Sequence, residues 1–285
     1  VDPKLLNSVL HADRPQTSKP SISLTRKMTD PQDEIAAAAS GCSSSLPPGQ
    51  DRAEKRLVPA VEIDVWQWAG CDFKSAERLS GFLSPAERVR AKRFYRPADR
   101  MAYIVRRARQ RLILAAYIGG APEQLVFHVG QEGKPRLTDG PEFSLSWSGE
   151  VSVLAVAGTE PIGVDIEMPR PLRSDITVVF GKAHRYRIAA LEGEARQNEI
   201  FRLWTLYEAF AKALGVGVWR SREHFDIGFE ADTPLAVWLS MGDLRDWTLA
   251  CLDPILGLPS ALAVRTAQRR LKIARRVPGE IGALL

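Results

Sequence analysis

Cysteine and histidine are scarce in this sequence: three cysteines (Cys42, Cys71, Cys251) and four histidines (His11, His128, His184, His224) in 285 residues. None stands at paired metal-ligand spacing, so a zinc centre built on thiolates and imidazoles is disfavoured, and three unpatterned cysteines favour a reducing cytosol over a disulfide scaffold. No apolar run approaches the roughly 20 residues that span a bilayer. Residues 35–39 are too short and poorly flanked for the core of a secretory signal. A Gly-rich loop ahead of a Lys-Ser/Thr pair is missing, which weakens a Walker-type phosphoryl-transfer reading. Methionine is missing from position 1, which leaves the natural start open with Met28 a candidate. The stretch 1–58 has almost no aromatic residues and is rich in Ser, Pro, Ala and charge, so it reads as a disordered N-terminal extension.

The rest can build a core: 45% of residues are hydrophobic and seven are tryptophan. The net charge is +5 and the isoelectric point about 9.2. Ten Lys or Arg face two acids within residues 85–111, which points to a polyanionic partner. On a helix over 98–119, Met101, Val105, Ala108 and Leu112 make an apolar stripe while Arg100, Arg107 and Arg111 gather on a neighbouring face. Arg88, Arg90, Arg96, Arg106 and Arg109 read individually as solvated. A second cluster, from Arg265 through Arg269, Arg270, Lys272, Arg275 and Arg276, reads as a solubilising basic tail, 266–285. No nucleic-acid-binding motif accompanies the charge.

Two short segments carry chemistry. Gly163-Val164-Asp165-Ile166-Glu167 reads as a strand with Ile162, Val164 and Ile166 on one face, so Asp165 and Glu167 project together from the other. The segment from Trp204 to Lys212 lies on a helix over 198–214, stopped by Gly215 and Gly217, with Ile200, Trp204, Tyr207, Ala211 and Leu214 as its buried stripe. Glu208 and Lys212 lie one turn apart on another face. Three carboxylates with room for water and phosphate suit a hard cation such as Mg2+.

These segments resemble the signature of the surfactin-type 4'-phosphopantetheinyl transferases, a Gly-(Val/Ile)-Asp-x-Glu strand followed some forty residues later by Trp-(Ser/Thr)-x-Lys-Glu-(Ala/Ser)-x-x-Lys. The resemblance extends over roughly 61–264, in the family's order. Arg93-Phe94, Asp99-Arg100, Arg107 and Arg111 match its basic helical region, Gly133-Lys134-Pro135 its Gly-Lys-Pro turn, and residues 143–149 its Phe-Asn-Leu-Ser-His-Ser-Gly strand. Two positions depart. Trp147 stands where the family has a histidine that contacts coenzyme A phosphates, and Tyr207 where it has a lysine. The indole could stack on or wall off a nucleotide, and Tyr207 could bury its ring and direct its hydroxyl to a polar partner.

The resemblance implies transfer of 4'-phosphopantetheine from coenzyme A to a serine of an apo acyl or peptidyl carrier protein, releasing 3',5'-adenosine bisphosphate. It assigns Asp165, Glu167 and Glu208 to Mg2+, with Mn2+ as the alternative ion, Glu208 to the serine proton and Lys212 to the pyrophosphate, with Arg107, Lys134, Ser146 and Trp147 as coenzyme contacts. The carrier would belong to fatty-acid, polyketide or nonribosomal-peptide synthesis. The protein is expected to be cytoplasmic and monomeric, without nucleic acid or membrane. The departures leave one alternative: an attenuated member that binds coenzyme A or a carrier without efficient transfer.

The implied fold is α+β, two similar halves (59–160 and 161–265) in a pseudo-two-fold arrangement with the active site in the cleft between them. Strands are expected at 61–70, 125–129, 143–147, 151–157, 162–167, 235–240, 247–252 and 261–264, and helices from Ser84-Pro85 and at 98–119, 175–180, 183–192 and 198–214. His128 and His184 read as surface or packing residues.

Overall fold

A computed structural model describes residues 59–283, apart from 71–72, 131–132, 173 and 241. The expected N-terminal disorder, with His11, Met28, Cys42 and Cys71, lies outside these residues. The chain enters β1 (Val61–Trp68) and continues through helices α1 (Phe73–Leu79), α2 (Pro85–Lys92) and α3 (Pro97–Ile118). The start of α2 is fixed by a reciprocal cap. Ser84 Oγ accepts from Glu87 N at 3.3 Å, the Glu87 carboxylate accepts from Ser84 N at 3.1 Å, and Pro85 opens the helix, a device contributing about 1 kcal/mol.

The hairpin β2 (Phe127–Val129) and β3 (Pro135–Leu137) leads into β4 (Glu142–Ser148), β5 (Val151–Ala157) and β6 (Ile162–Ile166). Helices α4 (Lys182–Ala189) and α5 (Gly193–Leu214) follow, then the hairpin β7 (Phe225–Glu230) and β8 (Thr233–Leu239), and finally β9 (Trp247–Ile255), β10 (Leu258–Arg265) and β11 (Leu271–Arg276). Helix α5 starts earlier than its apolar stripe suggested and ends as expected at Gly215, which takes the left-handed conformation (φ 73°) that glycine adopts without strain. The helix expected at 175–180 is a single 3-10 turn, Ile176–Val179.

One sheet has the order β11-β1-β5-β4 and another β6-β10-β9. Val61, Ile63, Val65, Val153 and Ala155 from the first meet Ile162, Val164, Ile166, Leu262 and Val264 from the second in one buried cluster. The other face of the first sheet packs Trp66, Phe143 and Leu154 against Ile113 and Leu114 of α3. Mixed helices and sheets are thus the architecture, with a core common to segments from either side of residue 160.

The basic segment read as a solvated tail is in part a strand: β11 pairs in parallel with β1, and Arg276 Nε donates to Asp64 at 2.5 Å. Leu271 and Ile273 alternate with Lys272 and pack against the core while Lys272 points to solvent, so a period-two pattern lay beneath the charge.

Candidate active site

Strand β6 is buried on both faces. Ile162, Val164 and Ile166 enter the core, and alternation turns Asp165 (3% exposed) the other way; Glu167 (7% exposed) follows just past the strand's end. Helix α5 comes close enough to use them because of Gly163: a methyl at that position would overlap the Ala209 carbonyl oxygen and lie 2.5 Å from Ala213 N. Trp204, Glu208 and Lys212, each one turn after the last, then line up along β6.

Lys212 Nζ donates to Asp165 Oδ1 at 2.6 Å, to Ser146 Oγ at 3.1 Å and to the Val164 carbonyl at 3.4 Å. Ser146 Oγ in turn donates to Asp165 Oδ1 at 2.6 Å. Glu167 accepts from Ser148 Oγ (3.1 Å) and Arg170 (2.8 Å) on Oε2 and from the Trp204 indole N–H (3.3 Å) on Oε1. The structure therefore brings together Asp165, Glu167, Glu208, Lys212 and Ser146. It adds Ser148, Arg170 and Trp204, which were not singled out as carboxylate partners, although the alternation of Ser146 with Ser148 and the one-turn spacing of Trp204 from Glu208 were visible.

The electrostatics reflect burial first and the nearness of other carboxylates second. Burial, opposed by Lys212 and reinforced by Asp165 and Glu167, lifts the Glu208 carboxyl to about 8. Burial likewise raises Asp165 to about 6, with Lys212 opposing and Glu167 adding. For Lys212, burial works against the charge but Asp165 and Glu208 outweigh it, so its pKa lies above the ordinary lysine value and it remains an ammonium.

Other anticipated residues are placed differently. Arg107 gives Nε (2.8 Å) and Nη2 (2.6 Å) to Glu87 Oε1 and Nη1 to Gln110 (2.5 Å). Arg111 is buried, bound to Glu87 and to the carbonyls of Pro122 and Leu125. This pair ties α3 to α2, its guanidinium groups engaged by Glu87 where the sequence suggested a row facing a polyanion. Lys134 donates to Glu142 (3.3 Å) and to the Ile162 carbonyl (3.0 Å), and burial lowers its pKa. Trp147 projects from the face of β4 opposite Ser146, with the Arg106 guanidinium 3.9 Å over its ring. Arg106 is thus a stacking residue and not a merely solvated one. Tyr207 is fully buried; its hydroxyl donates to Asp226 and accepts from Gly181 N at 3.2 Å, the polar partnership expected for it. His128 is exposed, and His184 packs against Tyr207 with Nε2 2.6 Å from the Ile227 carbonyl oxygen.

Among the described residues no three Asp, Glu, His or Cys side chains stand close enough to hold a metal ion as they are. The donor chemistry nevertheless suits a hard cation. Asp165 Oδ2 is buried without a hydrogen-bond partner, and the carboxyl pKa values are raised by burial and by neighbouring carboxylates, both of which an added cation would offset.

Comparison with known proteins gives a consistent result. The family model described as the 4'-phosphopantetheinyl transferase superfamily matches residues 161–266. The 4'-phosphopantetheinyl transferase HetI of Nostoc sp. (strain PCC 7120) is 37% identical over 195 residues, 65% of this chain and 80% of that protein. The 4'-phosphopantetheinyl transferase Sfp of Bacillus subtilis (strain 168) is 26% identical over 166 residues, 57% of this chain and 74% of that protein. The Synechocystis protein slr0495 is 33% identical over 143 residues, a match spanning 58% of its length.

Proposed function

The chain belongs to the 4'-phosphopantetheinyl transferase superfamily, and from that membership and the geometry of β6 and α5 we propose that it transfers 4'-phosphopantetheine from coenzyme A to a serine of an apo carrier protein. The observation that carries the reading is the contact of Lys212 with Asp165 and Ser146, with the Glu208 carboxyl held at a raised pKa beside them. A persistent ammonium next to carboxylates is what a charged pyrophosphate substrate and a proton-losing serine require.

In this reading the carrier's serine oxygen attacks the phosphorus nearer the pantetheine. A new P–O bond forms, the bond to the bridging pyrophosphate oxygen breaks, and 3',5'-adenosine bisphosphate leaves. Glu208 accepts the serine proton in its carboxylate form; with its pKa raised to about 8 that form is the minor one at neutral pH, and a bound cation would favour it. Lys212 cannot act as that base because its pKa is raised; it offers its ammonium to the pyrophosphate oxygens. Asp165, Glu167 and Glu208 would hold Mg2+ or Mn2+, which supplies charge to offset the pyrophosphate. Trp204 and Arg170 fix Glu167 by donating to opposite oxygens.

The attenuated alternative rests on the two departures, Trp147, whose indole carries no charge, and Tyr207, whose buried hydroxyl leaves no cation at that helical position. Intact mass spectrometry of a panel of apo carriers, each incubated with the protein, coenzyme A and Mg2+, separates the two. A pantetheinyl mass gain on a carrier supports transfer; coenzyme A binding without any gain under single-turnover conditions supports the alternative.

A further inference from the structure

Strands β4 and β6 are in different sheets, and serine hydroxyls at alternate β4 positions reach across to β6. Ser144 Oγ accepts from Val164 N at 3.1 Å, Ser146 Oγ donates to Asp165 at 2.6 Å, and Ser148 Oγ donates to Glu167 at 3.1 Å while accepting from Met168 N at 2.8 Å. Period-two alternation explains why all three point the same way.

Ser146 differs from its neighbours in holding two charged groups. An ammonium can only donate, so Ser146 Oγ must accept from Lys212, and its own proton is directed to Asp165 Oδ1. Oδ1 therefore receives two donors, the hydroxyl and the ammonium, each at 2.6 Å. Oδ2 is buried and receives none. A buried carboxylate oxygen without a partner is costly, and such an atom marks a place where a ligand is expected.

We propose that Ser146 is a positioning residue: with Lys212 it saturates Asp165 Oδ1 and so reserves Oδ2 for a divalent cation. This rests on the transferase reading for its purpose and departs from the role the resemblance implies for Ser146, a direct coenzyme contact. Ser144, whose hydroxyl meets only a backbone amide of β6, provides the control for damage to the β4–β6 contact itself.

The test uses Mn2+ alone as the probe, titrated by electron paramagnetic resonance into the full chain without coenzyme or carrier, followed by steady-state transfer. Ser146→Ala is expected to weaken Mn2+ binding by about 10–100-fold, with KM for coenzyme A changed less than about threefold, and Ser146→Thr to restore the affinity to within about threefold. Ser144→Ala should stay within about threefold of wild type. If Ser146→Ala does not fold, the shape-matched pair Ser146→Thr and Ser146→Val decides, the hydroxyl-bearing variant binding Mn2+ more tightly. Wild-type Mn2+ affinity in folded Ser146→Ala, a raised KM for coenzyme A at unchanged Mn2+ affinity, or no Mn2+ binding by the wild type would overturn the proposal. A serine-dependent Mn2+ affinity in a protein that modifies no carrier would support the positioning role while rejecting the transferase reading.

Discussion

The backbone of α5 at Ala209 occupies the space that a side chain at Gly163 of β6 would need. Helix and strand are therefore closer than any L-residue with a side chain permits, and the alignment of Glu208 and Lys212 with Asp165 depends on it. Gly163→Ala should push α5 outward, destabilising the fold by about 1–3 kcal/mol or more and lowering transfer in the fraction that remains folded. Urea unfolding with a parallel activity assay checks this; wild-type values in both would show that the approach is not needed.

Two lysines allow a test of position against charge. Lys212 touches Asp165 and Ser146, whereas Lys272 on β11 has a side chain 70% exposed and pairs only with an equally exposed Glu62. Lys212→Ala should lower turnover by about 100-fold, and Lys272→Ala should leave it within about twofold, as expected for an exposed pair. The difference should persist at moderate salt, because a shielded contact is screened less than an exposed one. Comparable losses would reject the assignment of Lys212.

The raised Glu208 carboxyl has a consequence for stability. Its ordinary pKa is 4.5 and burial in the fold lifts it to about 8, so between these values the folded chain holds a proton that the unfolded chain releases. The contribution is complete below the ordinary pKa and is lost as pH rises through about 8. In chelator, the denaturation midpoint should therefore fall across this window. Glu208→Gln, which stays neutral, should flatten the fall, and Mg2+ should restore the wild type at its upper end. An equal slope in wild type and Glu208→Gln would contradict the prediction.

Arg106 lies 3.9 Å over the Trp147 ring, putting a guanidinium beside the position where the resemblance implies a histidine. Arg106→Ala should weaken binding of coenzyme A more than binding of its 3'-dephospho form, and Trp147→His should sharpen the preference for coenzyme A. Calorimetry with both nucleotides measures the ratio. An unchanged ratio in both folded variants would mean that this stack serves packing alone.

Local patterns made much of this readable. Ser84-Pro85 marked a helix start that the structure caps as expected, Gly215 marked the end of α5, and the alternation over residues 162–166 gave β6 its two faces. The partner of Tyr207 was anticipated in kind, but not that Asp226 would supply it. What stayed hidden depended on distant pairing. Arg107 and Arg111 looked available because Glu87, which binds both, was only one acid in a basic run. The β11 segment looked like a tail because its partner, β1, lies some two hundred residues earlier. Arg106 looked solvated because nothing local indicated that Trp147 would come to lie beneath it.

Moving phosphopantetheine from coenzyme A to a carrier serine would yield two products in equal amounts. The most direct measurement quantifies both products of one incubation, the carrier's mass gain and free 3',5'-adenosine bisphosphate, with wild type and with Asp165→Asn and Glu208→Gln. Equimolar products are expected from the wild type on a carrier that retains its serine, none when that serine is replaced, and loss of both products together in the two folded variants. Bisphosphate without a carrier mass gain, no product from any carrier despite bound coenzyme A, or wild-type turnover in both variants would contradict the transferase reading.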